Sequence, residues 1–215
     1  MKNERTGLAL ILIGAILALI PSISVLSMGL GVISGAVTLA GLILLRTSHK
    51  AFGKAMWVYL VVVILRIYFV LNGLYQIWQM KQGIYSMGPS LAGAGGLIYL
   101  GVMLMGYYSV MNGLDQLCLR RGWTELEQVI NKRTPTVCIL IGVGIPLIIL
   151  SGYLPSLLGY FFANASVFSF IARILGAFIV SVVGNALYIK TIAQVMKQQK
   201  LRKSMTTAEK DKGME

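Results

Sequence analysis

The sequence predicts an all-helical integral membrane protein: six transmembrane helices forming three tandem hairpins, with both termini on the cytoplasmic side. Three observations carry this prediction. The chain is 57% hydrophobic and only 12% charged, about half the charged fraction of an average soluble domain. Its apolar residues run unbroken for lengths near the 20 or so that a helix needs to cross a bilayer. Its seven acids are Glu4, Asp115, Glu125, Glu127, Glu209, Asp211 and Glu215, so none lies between Arg5 and Leu114 or between Gln128 and Ala208. A soluble surface does not leave stretches of that length without a carboxylate.

Apolar segmentation places the spans at 7–27, 29–45, 55–79, 90–114, 136–153 and 166–190. These pair into hairpins 7–45, 55–114 and 136–190 within a domain over 1–190, followed by a basic cytoplasmic tail over 191–215. The first span also fits a cleaved signal, with Lys2 and Arg5, an apolar Gly7 to Ile20, and Ser22-Ile23-Ser24 as a small-residue site. Apolar character resumes at once through Leu45, which favours an uncleaved first helix. In the third span Arg66 interrupts Val61 to Phe69, and the fourth opens on the small-residue cluster Gly93 to Gly96. Pro146 in the fifth is expected to kink it. In the sixth, Arg173 begins a stripe through Ala177, Val180, Ser181 and Gly184 that suits close helix contact.

Basic residues set the orientation. Lys2 and Arg5, the loop with Arg46, Lys50 and Lys54, the segment with Arg120, Arg121, Lys132 and Arg133, and the run from Lys190 onward all fall on one side, and only Lys81 on the other. The positive-inside rule makes the first side cytoplasmic, in a cell membrane and specifically the bacterial cytoplasmic membrane. The net charge of +12 is explained by this flanking placement and by anionic lipid, and nucleic acid is not expected as a partner. Within the loop from Asp115 to Pro135, Thr124 and Glu127 form a capping-box pattern ahead of Leu126, Val129 and Ile130. This predicts a short amphipathic helix on the membrane surface, with docking of a cytoplasmic partner as the functional alternative.

An internal repeat supports the hairpins. Pro21-Ser22, Pro89-Ser90 and Pro155-Ser156 recur at spacings of 68 and 66 residues, each at an expected outer turn. Proline suits that place because its φ is preset and it cannot continue the helix ladder. Ala40-Gly41-Leu42, Asn112-Gly113-Leu114 and Asn185-Ala186-Leu187 mark the inner ends of the returning helices.

Polar residues inside the spans are the functional candidates. An arginine at a helix centre costs about 2.5–3.5 kcal/mol on insertion scales and usually faces a bundle interior or cavity. At helical spacing Arg66 shares a face with Tyr59 and Gly73. No acid lies at the level of Arg66 or Arg173, which leaves carbonyls, water, lipid phosphate, an anionic ligand or a partner's carboxylate to meet them. Arg173 can also snorkel outward, and Arg66 can bond backbone carbonyls. Two further stripes, Tyr68-Asn72-Gln76 and Tyr108-Asn112-Gln116, follow i, i+4 spacing within the similar words YFVLNGLYQI and YSVMNGLDQL. Interhelical hydrogen bonds explain them, and a polar path is the sharper alternative. The candidate ligand-binding set is therefore Arg66, Tyr59, Tyr68, Asn72, Arg173, Tyr108 and Asn112.

No catalytic constellation accompanies them. His49 is the single histidine and sits in a basic loop, so histidine-based proteolysis and phosphatase chemistry have no intramembrane base. There is no Walker motif and no aspartate cluster for magnesium, and Cys118 and Cys138 have no metal-ligand spacing and are expected as free thiols. A non-enzymatic protein without cofactor or metal is expected. It would bind or transport a small anionic or amphipathic molecule, alone or as a transporter subunit; the alternative is a structural, stress-response or assembly component. Lipid, a small anion, and a membrane protein partner or further copies of the chain are the expected partners.

Gly14, Pro21, Gly29, Gly31, Gly35 and Gly41 give the first hairpin an apolar helix with a central glycine, an outer proline and a return helix with spaced glycines. In this it resembles the repeated unit of HdeD-like acid-resistance membrane proteins, over about 40 residues. The resemblance implies a six-helix membrane protein of stress or envelope physiology without an assigned catalytic site. The tyrosine-rich third and fourth spans and Arg66 depart from it. By architecture alone, the chain is also similar to substrate-binding subunits of energy-coupling-factor vitamin transporters.

Overall fold

A computed structural model describes residues 2–19, 25–82, 94–158, 167, 171, 174–176 and 179–212. These are helical with short turns, and no strand occurs among them. The helices are α1 (Lys2–Leu17), α2 (Val25–Leu45), α3 (Lys50–Lys81), α4 (Ala94–Arg120), α5 (Thr124–Leu158) and α6 (Asn185–Lys212), the last entered through a π-helical stretch at Ile179–Gly184. Each helix packs on the next, and α6 returns to α1, closing the bundle into a ring. One stretch among the described residues, Lys50–Gln79 with mean hydropathy 2.0, is long and apolar enough to cross a membrane, and Gly29–Leu45 is a shorter apolar helix.

The first hairpin closes backbone to backbone. A Cβ on Gly14 would lie 2.9 Å from the Ser34 carbonyl oxygen, and one on Gly41 would lie 2.6 Å from that of Gly7. Small residues let helix axes approach this closely. The Ser34 hydroxyl then reaches across to donate to the Gly14 carbonyl at 2.9 Å.

The chain between Asp115 and Pro135 departs from expectation. Instead of a loop carrying a separate surface helix, α4 continues to Arg120 and α5 begins at Thr124 and runs unbroken to Leu158. The connection is a Schellman turn: Gly122 takes φ +67°, its N–H bonds the Leu119 carbonyl, and the Trp123 N–H bonds the Cys118 carbonyl. Pro135 does not end the helix. It cannot donate to the Asn131 carbonyl, but hydroxyls on either side, Thr134 to Ile130 at 2.8 Å and Thr136 to Lys132 at 3.3 Å, bond the flanking carbonyls. The helix likewise passes through Pro146 and Pro155, so Pro155-Ser156 is helical and not the expected turn. Pro21-Ser22 and Pro89-Ser90 lie outside the described residues. The expected tail is also helical, and its Ile192 and Val195 are fully buried.

One end of the ring gathers the long-range charged contacts. Glu4 pairs with Arg121, Arg120 donates to the Ser48 carbonyl at 2.7 Å, and Arg202 to that of Arg121 at 3.2 Å. Arg133 donates to Gln194 at 2.6 Å, joining α5 to α6. The N-terminus of α1, the α2–α3 loop, the α4–α5 turn and the middle of α6 therefore share one end.

Candidate functional site

Arg66 points from α3 into the ring, between α2 and α4. Its Nε donates to the Tyr99 hydroxyl at 3.0 Å, Nη1 donates to the Gly31 carbonyl, and Nη2 lies 3.7 Å from the Met103 sulfur. Three sequence features create this berth. Gly31 and Gly35, one turn apart on α2, leave a trough in that helix: a Cβ on Gly35 would sit 3.0 Å from Val63 and 3.5 Å from Nη1. Tyr99 and Met103, one turn apart on α4, form the opposite wall. Phe69 then braces Tyr99 edge to face, with ring centroids 5.4 Å apart.

Toward the charged end a second polar layer follows. Tyr59, two turns from Arg66 on α3, lies buried with its ring against Gly106, where a Cβ would come within 3.1 Å. Tyr107 on α4 donates its hydroxyl to the Asn185 side-chain oxygen at 2.7 Å, and its ring meets Tyr188 edge-on at 5.0 Å. Tyr107, Tyr188 and Asn185 are all buried. Tyr99, Tyr107 and Tyr59 all lie within electrostatic reach of the guanidinium. Chemically, the arrangement is a guanidinium held by neutral groups and lined by phenols. A guanidinium is the side chain whose paired N–H groups suit oxyanions, and no carboxylate or imidazole is among its contacts in the described residues.

Of the residues proposed from sequence, the structure brings Arg66 and Tyr59 into this layer. Tyr68 and Tyr108 face outward, 49% and 56% exposed, while Asn72 and Asn112 are partly buried on their own helices. The two stripes therefore begin on the outer surface and do not line a shared path. Arg173 lies outside the described residues. Sequence reasoning missed Gly31, Tyr99, Met103, Tyr107, Asn185 and Tyr188. For three of them a signal existed, since Tyr99, Met103 and Tyr107 repeat at four-residue steps on one face of α4.

The remaining candidates fall at the charged end. The His49 Nδ1 accepts the Ala51 N–H at 3.1 Å and so caps the start of α3. Cys118 and Cys138 are free. Burial, with Asp115 and Glu127 nearby, pushes the Cys118 thiol up to about 12, too high for a reactive thiolate. Burial, then repulsion from Glu127, holds the Asp115 carboxyl above the usual range, against a hydrogen bond from Asn131. A groove of about 500 Å³ separates the start of α5 from α6, lined by Trp123, Leu126, Val129, Lys197 and Leu201 among others. No group of three or more metal-ligating side chains occurs among the described residues. Comparison with protein-family models, curated proteins and solved structures gave no match.

Proposed function

We propose that this chain is a six-span membrane protein, non-enzymatic, that binds or carries a small anionic or amphipathic molecule with its anionic group on Arg66. The bundle closes as a ring of sequence-adjacent helices with its charged contacts at one end, as three antiparallel hairpins with cytoplasmic ends require. Trp57 and Trp78 support the immersion of α3: both are exposed, and their 21-residue separation spans about 32 Å. That matches a hydrocarbon core about 30 Å thick with aromatic residues at its two borders.

The observation that carries the binding reading is the company Arg66 keeps. Its partners are a carbonyl, a phenol and a thioether, all neutral, and every acid in the sequence lies outside the six spans. A guanidinium has five N–H donors. The three contacts leave one on each terminal nitrogen without a bond among the described residues, and paired N–H groups are what carboxylates and phosphates engage. An anion here would offset a charge that neutral partners only partly stabilise. Tyr99 and Tyr59 would line the site, with Tyr107 and Asn185 behind them.

One observation favours a second reading, a structural, stress-response or assembly role. The Gly31 carbonyl and Tyr99 already seat the guanidinium, so Arg66 can serve as an internal tie between α2, α3 and α4. The first hairpin's resemblance to HdeD-like proteins points the same way.

Native mass spectrometry of protein extracted gently from its own membrane separates the two, run beside Arg66→Gln with helicity checked by circular dichroism. The binding reading expects a stoichiometric small anion or anionic lipid on the wild type, reduced at least tenfold in the folded variant. A bare mass unchanged by the substitution, or a protein partner in place of the ligand, would overturn it and leave the internal tie.

A further inference from the structure

We propose that the outer face of α3 is a dimer seam, occupied by the same face of a second copy of this chain. Val61, Ile64, Tyr68, Leu71 and Tyr75 follow one another at steps of three, four, three and four residues, and each is 44–59% exposed. That alternation averages 3.5 residues, the period at which a stripe stays on one seam between two supercoiling helices.

Tyr68 supplies the stronger argument. It lies eleven residues from Trp57 and ten from Trp78, about 16 Å and 15 Å along the helix, at the middle of the proposed span. No hydrogen bond to its hydroxyl forms among the described residues, where its ring pairs edge-on with Phe69. A phenolic hydroxyl facing hydrocarbon at that depth has no water to bond and is too far from either border to snorkel. A second copy resolves this without any other molecule. Two copies inserted with the same orientation are related by a two-fold axis along the membrane normal, so their α3 helices run parallel and residues on the seam face their own counterparts. Tyr68 then meets Tyr68, and a hydroxyl, being donor and acceptor at once, bonds its twin.

The area is adequate. Five half-exposed side chains and the two tryptophans offer roughly 700 Å² per copy at about 100 Å² each, near the roughly 800 Å² per partner of a standard interface. The proposal rests on α3 crossing the membrane, and is independent of any role for Arg66 in binding.

Disulfide scanning in native membranes tests it, using full-length protein with Cys118→Ala and Cys138→Ala. Oxidation is expected to crosslink Ile64→Cys and Leu71→Cys into homodimers, and to leave Ile67→Cys, Val70→Cys and Leu74→Cys monomeric. In vesicles of phosphatidylethanolamine and phosphatidylglycerol, single-molecule photobleaching should show Tyr68→Phe weakening association about threefold, the mean strength of one interhelical hydrogen bond. Crosslinking spread evenly around the helix, a monomer at every protein density, or crosslinks to a different membrane protein would each overturn the proposal. The Leu71→Cys crosslink should persist in Arg66→Gln protein. Its loss there would make the seam a consequence of the anion site and overturn a pairing set by the stripe alone.

Discussion

The first two hairpins solve helix packing in opposite ways. Between α1 and α2, glycines receive backbone: Gly14 and Gly41 sit so close to the facing helix that a methyl group would strike main-chain oxygen. Between α3 and α4, glycines receive rings: Gly106 lies under Tyr59 and Gly113 under Phe52. In the first arrangement fixed main-chain oxygens lie in the contact beside side chains, whereas the second is built from side chains with torsional freedom alone. The rigid hairpin also presents the Gly31–Gly35 trough, so the less adaptable pair holds Arg66 for the more polar one.

Substitution at the two kinds of glycine should expose this difference. A Cβ on Gly14 would lie 2.2 Å from the Thr38 hydroxyl oxygen and 3.0 Å from its amide nitrogen. Gly14→Val is therefore expected to cost about 3 kcal/mol or more, the upper range for overpacking, read as the free energy of unfolding in a detergent titration. Gly106→Ala meets only the edge of the Tyr59 ring at 3.1 Å and is expected to cost about 1 kcal/mol or less. Equal losses would sink the distinction between backbone and ring packing. Tyr107→Phe sharpens it further, by removing one α4–α6 hydrogen bond while keeping the ring on Tyr188. A loss of about 1 kcal/mol, within the range for interhelical hydrogen bonds, is expected from the same titration; no loss would mean that ring packing alone holds α4 against α6.

What was legible in the sequence follows the same division. Arg66 stood out because a charge in an apolar run is conspicuous, and Tyr59 followed from spacing on the same helix. Tyr99 and Gly31 did not, because which helix faces Arg66 is decided by ring closure, a long-range property. Tyr107 and Tyr108 show the limit within one helix. Adjacent residues point about 100° apart, and the similarity of YSVMNGLDQL to YFVLNGLYQI singles out Tyr108, which faces outward. The α4–α5 connection is shorter than the expected loop because the breaking tendency of Pro135 is overridden by threonines that bond the flanking carbonyls and by packing that buries Ile130 and Val137.

The smallest expected effect lies at the charged end of the second hairpin, where α4 hands over to α5. Asp115 faces Glu127 and Asn131 of α5 and lies beside Cys118 on its own helix, and its Oδ1 is buried without a hydrogen-bond partner among the described residues. Burial first, and Glu127 second, raise its folded pKa above the unfolded value of about 3.9. The sign follows directly. The fold favours the protonated acid, so the stabilising contribution is complete below the unfolded value and disappears as pH rises through the raised folded one. Asp115→Asn abolishes that titration. The melting temperature of the variant minus that of the wild type should therefore increase between about pH 4 and pH 7, by the equivalent of less than about 1 kcal/mol given the residue's partial exposure to screening solvent. A difference that stays flat with pH would mean that Asn131 and solvent fully compensate the carboxylate, and that the polar economy of α4 resides in its tyrosine layer alone.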